Sequence, residues 1–107
     1  MTRNGMRPVH PGEILNEDFL KPLGLSANAL AKALHVPAPR INDVVLKRRG
    51  VSADTAMRLA RYFGGDPRSW LNLQMNYDLR VAETRNARRI AREIVPAAAA
   101  PARVLDR

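Results

Sequence analysis

Apolar residues recur along most of the chain at the three- and four-residue spacing of helices, interrupted by short breaks of Pro, Gly and Ser. The first cluster predicts a helix from Pro11 to Leu20. Pro11 suits its first turn, Glu13 and Glu17 favour its positive start, and Ile14, Leu15 and Phe19 form the stripe. Pro22 and Gly24 are expected to end it. Ser26 is a good N-cap for a second helix through Leu34, with Leu30, Ala31 and Leu34 turned inward. His35 then falls at a turn position that favours positive φ, which histidine tolerates better than most side chains. A third helix starts near Ala38. Pro37 and Pro39 fit its entry, because first-turn N–H groups have no intrahelical partner. Ile41, Val44 and Val45 make its inner face, and Arg40, Asn42, Asp43 and Lys47 point elsewhere.

Ser52 caps a fourth helix, Ala53 to Phe63, whose expected core set is Met57, Leu59, Ala60 and Phe63. Gly64 and Gly65 stop it. Asp66 caps a fifth helix with Pro67 at its first position, burying Trp70, Leu71 and either Leu73 or Gln74. The pattern leaves open whether that helix runs on to Ile94 or breaks near Asn76 or Asn86. From Pro96 the Ala/Pro-rich stretch carries no core signal and reads as a frayed tail. The expected organisation is one all-α domain over residues 1–95, of five or six helices, with a flexible tail over 96–107.

Composition agrees. A chain of 107 residues, 46% hydrophobic and rich in Ala, Leu and Arg, suits a single small helical domain. There is no cysteine, which excludes disulfides and thiolate metal sites. No apolar run approaches the roughly 18 residues of a membrane span, and the N-terminus lacks the apolar core of a signal peptide. A soluble cytoplasmic protein is expected.

Net charge is +8. Residues 26–50 carry Lys32, Arg40, Lys47, Arg48 and Arg49 against Asp43 alone. Residues 80–95 carry Arg80, Arg85, Arg88, Arg89 and Arg92 against Glu83 and Glu93. The stretches before, between and after are near neutral, so two basic zones mark anionic surfaces rather than general solubilisation.

The second and third helices form the narrower signal. Ala31 is small where one helix must cross the other, Val36 plugs the turn, and Ile41 and Val44 return to the same core. Over about residues 26–46 this spacing resembles the helix-turn-helix of lambda-repressor-like (XRE) regulators, with His35 in place of the usual turn glycine. The major groove admits one α-helix, so the second helix must stand proud while the first braces it from behind. The resemblance implies base readers at Ala38, Pro39, Arg40, Asn42 and Asp43. Arg40 suits guanine O6 and N7, and Asn42 suits adenine or a phosphate. Ala38 and Pro39 offer only apolar contact, so some reliance on DNA shape is expected. Lys47, Arg48 and Arg49 would meet phosphates at the groove edge, as would Ser26 and Asn28 at the start of the brace. The bland reading of the basic triplet is a solvated helix end favoured by the macrodipole.

HPGEIL, RINDVV and GVSADTAMRLARYFGGDPRSWLNLQMNYDL extend the likeness over roughly residues 8–95. They resemble the HigA-type antitoxins of HigBA toxin–antitoxin modules, with WLNLQ, Trp70 to Gln74, the most specific piece. The resemblance implies a homodimeric repressor. It would bind an inverted repeat in double-stranded operator DNA and neutralise a RelE-type mRNA-cleaving ribonuclease. Two reading helices about 34 Å apart would supply what one cannot. Trp70, Leu73, Tyr77 and Leu79 are the candidate dimer residues, with Trp70 also able to close the monomer core. RelE-type ribonucleases are usually basic, so the arginine-rich segment matches such a toxin poorly; it reads either as a contact to the DNA flanks or, the favoured reading, as a solvated helix paired through Glu83. Glu13, Glu17 and Asp18 on the first helix suit a basic toxin better.

Other classes have less to stand on. His10 and His35 lack ligand-spaced partners, and HExxH, GxSxG and Walker patterns are absent, so no enzyme, metal site or cofactor is expected. Five aromatic residues, unclustered, make a poor platform for stacking unpaired RNA bases. A solitary XRE-type regulator without a toxin and a protein-interaction module remain the alternatives.

Overall fold

The computed structural model describes residues 7–98. Five helices and no strand form among these residues. Helix α1 spans residues 11–23, and its ends explain its limits. His10 caps it, its Nδ1 accepting the Gly12 N–H at 2.9 Å, and Pro11 fills the first position. After the α-helical turn Pro11–Ile14 the chain widens into a π-helical stretch, Leu15–Leu20, then tightens again over Lys21–Leu23. The helix therefore passes Leu20, where the sequence pattern ended it, and carries Pro22 inside its last turn. A tight α turn would press the proline ring against the carbonyl four residues back; the wide turn opens that space. Gly24, in the left-handed region at φ 61°, ends the helix instead.

Helix α2 is Ala27–Leu34, capped by Ser26 Oγ on the Ala29 N–H at 3.0 Å. Leu30, Ala31 and Leu34 are buried, as the spacing predicted. His35 closes α2 in the left-handed region at φ 59°, as its turn position requires. Helix α3 is Ala38–Val45, with Pro37 and Pro39 at its entry and Ile41 and Val44 fully buried. Helix α4 is Ala53–Phe63, capped by Ser52 on the Thr55 N–H. Its buried stripe is Thr55, Ala56, Leu59 and Ala60. Met57, expected in the core, is 63% exposed. The stripe through Ala56 and Leu59 is the one that meets the rest of the bundle, which leaves Met57 on the outer side.

Helix α5 is a single run, Pro67–Glu93, started by the Asp66 carboxylate on the Arg68 N–H at 2.8 Å. It breaks at neither Asn76 nor Asn86. Its first turns close the core. Trp70 is 5% exposed and lies 5.3 Å from the Phe19 ring, which in turn lies 4.8 Å from Phe63. Beyond Tyr77 the helix leaves the body, and the arginine-rich segment is solvent-facing. At 1.5 Å per residue this rod is about 40 Å long, and it stretches the molecule to 56 × 28 × 26 Å. Pro96, Ala97 and Ala98 are exposed and non-helical; the rest of the expected tail lies outside the described residues.

The core is the shared interior of all five helices, centred on Leu15, Leu30, Ile41, Val44 and Leu59. Each large apolar side chain buried there contributes about 1.5–3 kcal/mol. Helix α1 reaches α3 through glycine. A Cβ built on Gly12 would stand only 1.8 Å from the Val44 carbonyl oxygen, so the two backbones meet where no side chain fits.

Behind this contact sits a buried polar knot. His10 is 4% exposed, and its ring meets Tyr77 of α5 edge-on at 4.8 Å. Burial, followed by the nearby Lys47 charge, pushes the His10 pKa below its ordinary value against the opposing pull of Asp78 and Glu13. Neutral His10 is also the form that can cap α1, because a protonated Nδ1 cannot accept the Gly12 N–H. The native state thus binds this proton less readily than the unfolded chain. The stabilising contribution is complete above about pH 6.5 and is lost as pH falls through the lower native pKa. The urea midpoint is expected to drop between pH 7 and pH 5 in the native sequence. In His10→Asn, which keeps a capping oxygen but does not titrate, the midpoint should stay level over that window. A parallel drop in both would remove His10 as the cause.

Candidate nucleic-acid interface

Helices α2 and α3, packed across Ala31, present the α3 entry and the α2 start on one side. Pro39 is exposed there, while Ala38 is half-buried against the core. Asn42 Nδ2 donates to Asn28 Oδ1 at 2.7 Å and to the Ala38 carbonyl at 3.0 Å, which ties the reading helix to its brace. Ser26 is exposed beside them, its Oγ occupied as the cap.

Arg40 turns toward the start of α4, where Nη1 donates to Asp54 Oδ2. Arg58 shares that oxygen through Nε at 2.8 Å and donates Nη1 to the Leu34 carbonyl at 2.9 Å. The two guanidiniums, Arg58 first and Arg40 second, hold the Asp54 carboxyl below its usual range.

The basic triplet is not a straight continuation of α3. Lys47 takes φ 64°, a left-handed conformation rare for a side-chain-bearing residue. The chain then folds back, so that the Arg48 and Arg49 N–H groups both donate to the Asp43 carbonyl, at 2.8 and 3.2 Å. The Asp43 carboxylate also takes Arg48 at 3.0 Å and Arg49 at 3.6 Å. Asp43, expected among the base readers, spends its polar groups organising this turn. Lys47 leans to Glu13 of α1 at 3.9 Å, and Glu13 is also held by Arg7 at 2.8 Å. Glu17 pairs with Lys21 at 2.8 Å. The acidic set of α1 is therefore partly engaged within its own domain.

Three residues that the sequence pattern did not single out shape the site, Gly12, Asp54 and Arg58, and a fourth, Gln74, was expected only as an inward residue of the last helix. Gln74 of α5 accepts the Val51 N–H at 2.7 Å and lies against Gly50, so it clamps the chain leaving the basic turn. The signal for Gln74 was a polar residue on an apolar stripe. The candidate dimer residues divide. Trp70 lies in the monomer core, Leu73 is half-buried, Tyr77 rests on His10, and Leu79 is 57% exposed. Met75, also 57% exposed, joins Leu79 and Leu71 along a shallow apolar depression. Among the described residues no three His, Cys, Asp or Glu side chains gather as a metal site would need.

A short brace, a short helix entering beside it and a basic exit turn define a helix-turn-helix domain of the lambda-repressor-like class. A family model described as Helix-turn-helix matches residues 17–70. Virulence-associated protein I of Dichelobacter nodosus is 64% identical over 81 residues, 76% of this chain and 75% of that protein. Antitoxin HigA-1 of Vibrio cholerae is 38% identical, over 80% of this chain and 79% of its own length. The solved structure of Pseudomonas aeruginosa antitoxin HigA with higBA promoter is 49% identical. It covers 85% of this chain and 99% of that one at a TM-score of 0.82. The chain belongs to the helix-turn-helix family, in its HigA-type antitoxin branch. Two of these three relatives are antitoxins by name, one of them solved with promoter DNA. Among the described residues no helix is long and apolar enough to cross a membrane.

Proposed function

We propose that the chain is a sequence-specific repressor of its own toxin–antitoxin operon. It binds an inverted-repeat operator as a homodimer and neutralises a RelE-type ribonuclease in the cytoplasm. The observation that carries the DNA reading is the α3 entry. It combines exposed Pro39, an Arg40 anchored from α4, and Asn42 joined to Asn28, with the Lys47–Arg49 turn beyond. Arg40 reads a guanine, and Asn42 reads an adenine or holds a phosphate. Pro39 and Ala38 supply apolar contact, and Asp43 sets the exit turn. Ser26, Asn28, Lys47, Arg48 and Arg49 neutralise phosphates.

Dimerisation uses α5. Met75 and Leu79 stand exposed beside Leu71, on the helix that projects from the body, and Tyr77 and Leu73 flank them. Trp70 supports that face from inside. The promoter-bound relative at 49% identity supports the operator reading, and membership in the HigA-type branch supports a toxin partner. Residues 1–95 act as one functional domain.

The test uses duplex DNA from upstream of the chain's own gene. A protected inverted repeat, two chains per duplex, and a loss of that footprint in Arg40→Ala are expected. Random duplex should bind the variant nearly as well as it binds the native chain. An unprotected upstream region would refute the operator reading. Co-expression with a neighbouring gene for a small basic ribonuclease should yield a stable complex and restore growth. Operator binding with no such partner would leave a solitary regulator.

A further inference from the structure

A base-reading arginine needs more than a position. Its side chain is long and its fork of donors serves a phosphate as readily as a guanine. What selects one target is a second group that fixes the plane of the fork. In this protein the group comes from another helix. Asp54 stands in the first turn of α4, fourteen residues from Arg40, and takes Arg40 Nη1 on Oδ2. Only Nη1 is used, so the Nη2 and Nε hydrogens remain for an acceptor pair such as guanine O6 and N7. Asp54 is itself held. Arg58 donates to the same oxygen, and its Nη1 reaches the Leu34 carbonyl at the end of α2. The chain Leu34–Arg58–Asp54–Arg40 links the brace, α4 and the reading helix.

We propose that Asp54 is a specificity-determining positioning residue, which orients the Arg40 guanidinium for a guanine in each half-site. The inference rests on the operator reading above. Its physical mark is a split in sign. A carboxylate beside the groove repels phosphate, so Asp54 weakens general DNA affinity while it sharpens sequence choice. A residue that merely stabilised the fold would help both.

The experiment begins with a randomised duplex library selected by the native chain. Affinities follow for the selected duplex, its single-base-pair variants and a random duplex. The native chain should show a guanine whose replacement costs about tenfold or more. Arg40→Ala should abolish that preference. Asp54→Ala should abolish it at the same base pair and bind random duplex as tightly as the native chain or more so. The double variant should be no less selective than either single one, and Asp54→Glu should restore part of the preference. Asp54→Ala that keeps the preference overturns the inference while the operator reading stands. A uniform loss on all duplexes with a lowered melting temperature also overturns it, because that is a structural role. A native chain that selects no motif removes the operator reading and this inference with it.

Discussion

Gly12→Ala is expected to destabilise the domain by about 3 kcal/mol, the upper end of what overpacking a tight contact costs. The added Cβ would sit 1.8 Å from the Val44 carbonyl oxygen and 2.8 Å from its carbon. Both are backbone atoms of α3, so no rotamer change relieves the clash. Helix α1 must lift from α3. The lift disturbs the His10 cap, whose Nδ1 lies 3.1 Å from the same Cβ, and the buried neighbours Leu15 and Val44. Out of a total stability of about 5–15 kcal/mol, a loss of this size raises the unfolded-to-folded ratio roughly a hundredfold. Urea unfolding measures it. An unchanged midpoint would mean that α1 does not cross α3 at Gly12. Because α3 carries the reading residues, a partly stabilised Gly12→Ala should also bind operator less well than its folded fraction accounts for.

The second large effect concerns the exit turn. Replacing Lys47 with glycine and Arg48 and Arg49 with alanine should cut affinity on the order of a hundredfold at physiological salt. Glycine is chosen at Lys47 because φ there is 64°, where alanine would add strain unrelated to charge. If the three side chains meet phosphates, the slope of log affinity against log salt should fall by about 2.7, roughly 0.9 for each contact. Operator and random duplex should lose affinity alike. A loss confined to the operator would make the triplet a base reader; an unchanged slope would return it to a solvated helix end held by Asp43. The Gly12 and triplet effects separate cleanly, since the first is read in urea and the second in salt.

The helix starts were legible because they are local. Ser26, Ser52 and Asp66 accept N–H groups two or three residues onward, and Pro11, Pro39 and Pro67 sit in first turns where no donor is needed. Apolar spacing marked Leu30, Ala31, Leu34, Ile41 and Val44 as core for the same reason: one helix face is set by residues three and four apart. The resemblance to HigA-type antitoxins added the family, which the spacing by itself does not specify.

Tertiary structure decided the rest, because each remaining feature joins residues far apart in the chain. Gly12 is required by Val44, Asp54 engages Arg40, Gln74 holds Val51, and His10 meets Tyr77. The crossing of two helices sets each of these pairs, and no periodicity encodes it. Met57 belongs to the same class. Along α4 the apolar residues allow more than one stripe, and only the placement of α4 against its neighbours chose Ala56 and Leu59 over Met57. Local rules placed the helices and their caps; the packing of helix on helix placed the polar groups that hold the reading residues.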